Sequence, residues 1–230
     1  MKKHIPNFIT LLNLTSGAAG LVFIIKGELN IAIYLVFLSG FFDFLDGYAA
    51  RLLKAYSDIG RSLDSLADIV SFGVLPAIIA YSALSSGKDD VIIMNYLAWS
   101  SLLIPAFSAI RLAIFNNDDS QQISFQGLPT PANAFLVVSA VFIYLNGGKL
   151  IDINEFVLVI IIVTACFLMV SDIRMFSLKS LNFTRQTRLI LLYFLTASLF
   201  LIIFLKMEGI FYTILLYILI SIILPGKIFG

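Results

Sequence analysis

Charge is what this chain of 230 residues has least of. Asp, Glu, Lys and Arg make up 13% of it, while 60% is hydrophobic. An ordinary soluble domain carries about 25% charged residues, and a water-facing surface needs them. A soluble fold is therefore excluded, and most of the surface must face lipid. Cysteine and histidine occur once each, at Cys166 and His4. One cysteine excludes an internal disulfide and a cysteine-built zinc site; set in the apolar run around it, Cys166 reads as a small core residue. One histidine, read as interfacial, leaves no Ser-His-Asp or Cys-His nucleophile. Lys and Arg number 15 against 14 Asp and Glu, a net charge of +1. There is no excess of positive charge to attract nucleic acid, which is excluded as a partner. Internal repeats, low-complexity tracts and long linkers are also missing, so residues 1–230 are expected to form one membrane-embedded domain.

What remains is a series of long apolar runs. A hydrocarbon core about 30 Å thick needs roughly 20 mostly apolar helical residues to cross it. Runs of that kind fall near Phe8–Ile25, Leu29–Leu53, Leu66–Leu84, Val91–Phe115 and Ala132–Leu145, then near Phe156–Val170, Leu189–Leu205 and Ile210–Leu224. Only helices satisfy their own backbone groups in lipid without closing a barrel. The expected fold is all-α and polytopic, with about eight transmembrane helices, the fifth and sixth short. Pro76 and Pro105 are expected to kink spans three and four, and Trp99 to be a belt or packing residue. The start, MKKHIPNFITLLNLTSGAAG, has the charge and small residues of a signal peptide. Pro6 fits better in the first turn of a retained helix, where its missing N–H costs nothing.

Eight spans put both termini on one side. That side then collects Lys2, Lys3, Arg51, Lys54, Arg61, Arg111, Arg174, Lys179, Arg185, Arg188 and Lys227, leaving Lys26, Lys88, Lys149 and Lys206 opposite. Basic residues accumulate on the cytoplasmic face, so both ends are expected there, in the cell membrane.

The segment FFDFLDGYAARLLKAYSDIGRSLDSLAD is where charge reappears. Carboxylates at the membrane border are costly and mark function. Asp43 and Asp46 are spaced i,i+3 on the second span, Asp64 and Asp68 i,i+4 on the third, so each pair shares a helix face. The short connection makes the two helices antiparallel neighbours. If the faces meet, four anions converge, and divalent cations resolve the repulsion. All-oxygen ligation without His or Cys suits Mg²⁺ or Mn²⁺, and two ions leave open coordination for a diphosphate. Gly47, Ala50 and Gly60 keep the face clear for a bulky ligand, and Arg51 is available to a phosphate oxygen. A packed, salt-bridged helix pair is the structural alternative, but it would need four cations where only Arg51 and Arg61 are close by.

The pattern Asp43-x2-Asp46-Gly47-x2-Ala50-Arg51-x8-Gly60-x3-Asp64-x3-Asp68 resembles the signature of the CDP-alcohol phosphotransferases at every fixed position. Eight fixed residues, each used at roughly 5–8% in average proteins, make a chance match very rare. The resemblance implies transfer of a phosphatidyl or related group from a CDP-linked donor to an alcohol, with release of CMP. It implies that Asp43, Asp46, Asp64 and Asp68 hold two Mg²⁺ or Mn²⁺ ions and that Asp68 takes the proton from the acceptor hydroxyl. Gly47, Ala50, Arg51, Ser57 and Gly60 would line the CDP-lipid site, with Asn7 and Thr10 of the stretch that begins at Pro6. It also implies a homodimer.

Ser71 to Ala77, Arg111 to Asn116, Phe125 to Ala132 and Ser171 to Lys179 look like the phosphatidylserine synthase branch of this family. That branch implies a CDP-activated lipid and L-serine as substrates, with Arg111 and Lys179 as candidates for the serine carboxylate. Diacylglycerol and archaeol donors both stay open. Glycerol 3-phosphate or an inositol acceptor is the alternative within the family, and a divalent-cation transporter the alternative outside it. Transporters usually bind near the bilayer midplane between repeats, whereas these aspartates sit beside arginines at a membrane border.

Overall fold

The computed structural model describes residues 4–86, 96–117, 125–175 and 185–223. Lys179 lies outside these. The described residues are almost entirely helical. Five helical stretches are long and apolar enough to cross a membrane: His4–Ile25, Leu29–Leu52, Asp58–Ser85, Tyr96–Asn117 and Arg188–Leu205. Three shorter apolar helices, Thr130–Asn146, Glu155–Met169 and Met207–Ile223, occupy the remaining predicted runs. The chain is a multi-pass membrane protein. Phe8, Phe44, Leu66, Phe167, Leu199 and Ile223 are among many large apolar side chains exposed on its surface, as expected where lipid is the solvent.

Backbone packing divides the chain into two units, Met1–Ala109 and Ile110–Gly230. In the first, α1 (His4–Ile25) and α2 (Leu29–Leu52) form a hairpin closed by Lys26 to Glu28. Gly27 at φ 80° supplies the left-handed residue this turn requires. Pro6 lies in the first turn of α1 and is buried. The buried residues of α1 are Pro6, Thr10, Asn13, Ser16, Gly17 and Gly20, a small and polar stripe at helical spacing whose opposite face is apolar. Inside a membrane such a stripe is the packing face, because small residues let helices approach closely.

The third span is interrupted. It runs as α3 (Asp58–Asp68), a π-helical turn over Ile69–Val74, and α4 (Leu75–Ser85). The Leu75 N–H closes the wide turn by donating to Val70 O. Pro76 follows at once; having no N–H, it could not have continued an α-helical ladder here, and the π turn absorbs the defect. Pro105 is handled differently, with a 3₁₀ turn at Trp99–Leu102 leading into α5 (Leu103–Asn117). Ahead of both prolines the helix type changes locally. Trp99 is exposed and meets Tyr81 edge-on with ring centroids 5.6 Å apart.

α3 leans mainly on α1, and α2 packs against α1 and α4. The second and third spans are therefore neighbours, as expected, but they meet through α4 and the π turn more than through α3.

The second unit contains the end of α5, then α6 (Thr130–Asn146), α7 (Glu155–Met169), α8 (Arg185–Leu205) and α9 (Met207–Ile223). A two-residue antiparallel pair joins β1 (Phe125–Gln126) to β2 (Arg174–Met175), with Phe125 opposite Met175. α9 packs on both α6 and α8. The turn between α6 and α7 is pinned by Glu208, a buried residue whose two carboxylate oxygens both accept from the Lys149 N–H at 3.0 Å. Cys166 is fully buried in α7, as its apolar setting predicts.

Candidate active site

The site is built at one end of the α2–α3 connection. Helix α2 stops at Leu52, and the Ala55 N–H reaches back to Ala50 O at 2.9 Å while Lys54 takes a left-handed φ of 48°. The chain then re-enters a helix at Ser57, whose hydroxyl oxygen accepts from the Gly60 N–H at 3.0 Å, an N-cap. Serine at that position fixes where α3 begins, and therefore the rotation at which Asp64 and Asp68 emerge.

Asp43, Asp64 and Asp68 come together. Each offers a carboxylate oxygen, and the three oxygens lie within 4.8 Å of one another. Asp46 stands beside this trio, in electrostatic range of Asp64 and Asp68. It is buried with Thr10 close by, and its Oδ2 has no hydrogen-bond partner among the described residues. Thr10 also reaches Pro6 O at 3.1 Å. The i,i+3 and i,i+4 pairs therefore do face each other across the gap between α2 and α3.

These groups fit a divalent metal. Three carboxylate oxygens in one small volume, one of them on the buried Asp68, need a compensating charge. A buried carboxylate oxygen without a partner on Asp46 is a further ligand in waiting. All donors are oxygen, the set preferred by hard cations. A cation at this place would meet no histidine or cysteine.

The other predicted contacts surround the cluster unevenly. At Gly47 an added Cβ would meet nothing within 4 Å, so the space beside the α2 face is open. At Gly60 it would come within 3.0 Å of Ser57 Oγ and 3.1 Å of Asn7 Oδ1. Asn7, Ser57 and Gly60 are thereby brought to one place, where α1 and α3 both begin. Ala50 is half-buried and Arg51 exposed. Arg51 Nε donates to Gly47 O at 3.0 Å; this bond orients the guanidinium along α2 and leaves its two terminal nitrogens to point outward. Ser57 uses its oxygen as a cap but keeps its proton for donation.

Arg111 belongs to the second unit. It is 3% exposed, too buried to serve as a charge anchored in the headgroup region. Its guanidinium lies over the Phe115 ring at 5.8 Å, with Tyr217 in electrostatic range. Lys179, its predicted companion, is outside the described residues.

One residue of the cluster escaped the reading of the sequence. Asn13 of α1 is completely buried, and its Nδ2 donates to Asp68 Oδ1 at 3.3 Å. The signal was the small and polar stripe of α1, Thr10, Asn13 and Gly17 at helical spacing, in a helix otherwise made for lipid.

Fold and site together define a multi-pass membrane protein with a concentrated acidic centre suited to a divalent cation. A family model described as CDP-alcohol phosphatidyltransferase matches residues 3–171, and the chain belongs to that family. Among curated proteins, it is similar to the CDP-diacylglycerol--serine O-phosphatidyltransferase of Bacillus subtilis (strain 168), 36% identical over 141 residues, covering 61% of this chain and 77% of that one. The Helicobacter pylori (strain ATCC 700392 / 26695) protein of the same description is 34% identical over 193 residues, 83% of this chain and 79% of its own. The archaetidylserine synthase of Methanothermobacter thermautotrophicus is 34% identical over 171 residues, 74% and 68% of the two chains.

Proposed function

We propose that this protein transfers a phosphatidyl or archaetidyl group from CDP-diacylglycerol or CDP-archaeol to the hydroxyl of L-serine, releasing CMP. The observation that carries this reading is the convergence of Asp43, Asp64 and Asp68 beside Asp46 in a chain of this family. The serine acceptor is supported by the descriptions of the relatives. Family membership favours group transfer over cation transport.

Asp43, Asp46, Asp64 and Asp68 would hold two Mg²⁺ or Mn²⁺ ions, which neutralise charge on the diphosphate and improve CMP as a leaving group. The protein's own groups do the rest. Arg51 offers two parallel N–H donors to a phosphate oxygen. The open space at Gly47 admits the nucleotide, with Asn7, Thr10, Ala50, Ser57 and Gly60 along its path. Asp68 accepts the proton of the serine hydroxyl as its oxygen attacks the lipid-bearing phosphorus. The bond from that phosphorus to CMP breaks, and CMP departs with the electron pair. Arg111 and Lys179 would hold the serine carboxylate.

The chain would work as one domain, as a homodimer in the cell membrane, with all eight apolar stretches crossing and both termini on the cytoplasmic side. The lipid tails of the donor would reach in laterally. The test presents purified protein with a CDP-lipid, Mn²⁺ and one acceptor at a time. CMP release and lipid product with L-serine support the proposal. Turnover with glycerol 3-phosphate or inositol and none with serine refutes the acceptor.

A further inference from the structure

Asn13 is tied to two other segments of the first unit. Its backbone carbonyl accepts the Ser39 hydroxyl of α2 at 3.3 Å and the Ser71 hydroxyl of the π turn at 3.0 Å. Asn13, Ser39 and Ser71 are all 0% exposed. Three segments distant in sequence therefore meet on one main-chain oxygen. Gly17, one turn further along α1, makes this possible, because any side chain there would run into Ser71. In a membrane interior, where no water competes, such hydroxyl bonds hold helices in register.

The side chain that grows from this anchor ends on Asp68. Its orientation follows from charge: an amide oxygen turned toward a carboxylate among other carboxylates would be repelled, so the Nδ2 end must face Asp68. Asn13 Oδ1 has no hydrogen-bond partner among the described residues; the side chain thus gives up one bond while keeping the one to Asp68. A carboxylate crowded by Asp43, Asp64 and Asp46 has no reason of its own to keep one rotamer. A neutral donor on a fixed stalk supplies one, without adding charge that would compete with a cation.

We propose that Asn13 is a positioning residue for Asp68: it holds one carboxylate oxygen so that the other is presented to the reacting hydroxyl, and Ser39 and Ser71 hold Asn13. The proposal rests on the reading of Asp68 as the proton acceptor. In this role Asn13 acts through its bond to Asp68.

The experiment is a double-variant cycle on the purified full chain in detergent, scored by CMP release with CDP-lipid, Mn²⁺ and L-serine. Asn13→Ala is expected to lower kcat roughly 10- to 100-fold, the loss typical of a hydrogen bond to a charged group, with both KM values held within about threefold. In an Asp68→Asn background the same substitution is expected to cost nothing further in single-turnover CMP release. Joint replacement of Ser39 and Ser71 by Ala, which leaves the amide in place, is expected to give a smaller loss of kcat. Should Asn13→Ala not fold, Asn13→Asp fills the same volume without the donor and is expected to lose at least as much kcat. A kcat within threefold of the unsubstituted protein overturns the proposal. So does a loss confined to KM, or an equal further loss in the Asp68→Asn background. Failure of the functional reading looks different: the unsubstituted protein then makes no product from serine, and the cycle is repeated with whichever acceptor it does use.

Discussion

Replacing Asp43 by Asn separates a metal centre from a structural ion cluster by the sign of its effect on stability. The three carboxylate oxygens of Asp43, Asp64 and Asp68 lie within 4.8 Å of one another. At an effective dielectric of about 20, two unit charges at that distance repel by about 3.5 kcal/mol. Asp43 takes part in two such pairs, so its neutralisation removes a nominal repulsion of about 7 kcal/mol from the metal-free, fully ionised cluster. Counter-ions already relieve much of this, and a gain of about 1–2 kcal/mol is expected, or a rise in Tm of roughly 2–8 °C. With Mn²⁺ present the order reverses. The unsubstituted protein gains the binding energy of the cation, and the variant, short of a ligand, gains much less. CMP release by the variant should fall at least about 100-fold. Thermal unfolding in detergent, with EDTA and with Mn²⁺, reads both arms. If Asp43→Asn lowers the metal-free Tm, the aspartates are paired structural charges, and the reasoning fails.

Three further outcomes are expected. Arg51→Lys should raise the KM for CDP-lipid about tenfold, because an ammonium cannot make the parallel pair of bonds to a phosphate, with Tm unchanged for this exposed residue; an unchanged KM would remove Arg51 from the site. Gly17→Val should lower Tm by an amount equivalent to about 1–3 kcal/mol, since the new side chain would run into Ser71; undiminished stability would mean that α1 does not seat against the π turn. Glu208→Ala should cost about 1–3 kcal/mol by leaving the Lys149 N–H without its acceptor, while kcat at saturating substrate stays within twofold. A larger loss of kcat would tie the α6–α7 turn to catalysis.

The aspartates were legible in the sequence because charge inside an apolar run has few structural explanations, and helical spacing says which carboxylates share a face. The pairing of Asp43 with Asp64 and Asp68 needed only a short connection between two helices. The backbone arrangement was less legible: α1, and not α2, is the main neighbour of α3. Nothing in the second and third spans announces this, since it depends on the polar stripe of a helix that precedes both. Asn13 was hidden for the same reason; in the chain it reads as one polar residue in an Asn-Leu-Thr triplet, and its role appears only when Asp68, 55 residues away, is beside it. The π turn at Ile69–Val74 lies just ahead of Pro76, a residue that announces a disturbance without saying of what kind. Arg111 illustrates the opposite case, since a lone arginine near a loop looks like a membrane-border anchor until its burial is seen.

The most direct test of the account is a count of bound Mn²⁺ by electron paramagnetic resonance on the purified chain in detergent, without substrates. The unsubstituted protein is expected to take up Mn²⁺ saturably, to two ions per chain, and the Asp43→Asn/Asp64→Asn variant, folded by its thermal transition, to bind none at the same concentration. Equal uptake by the two proteins would contradict the claim that these aspartates gather hard cations.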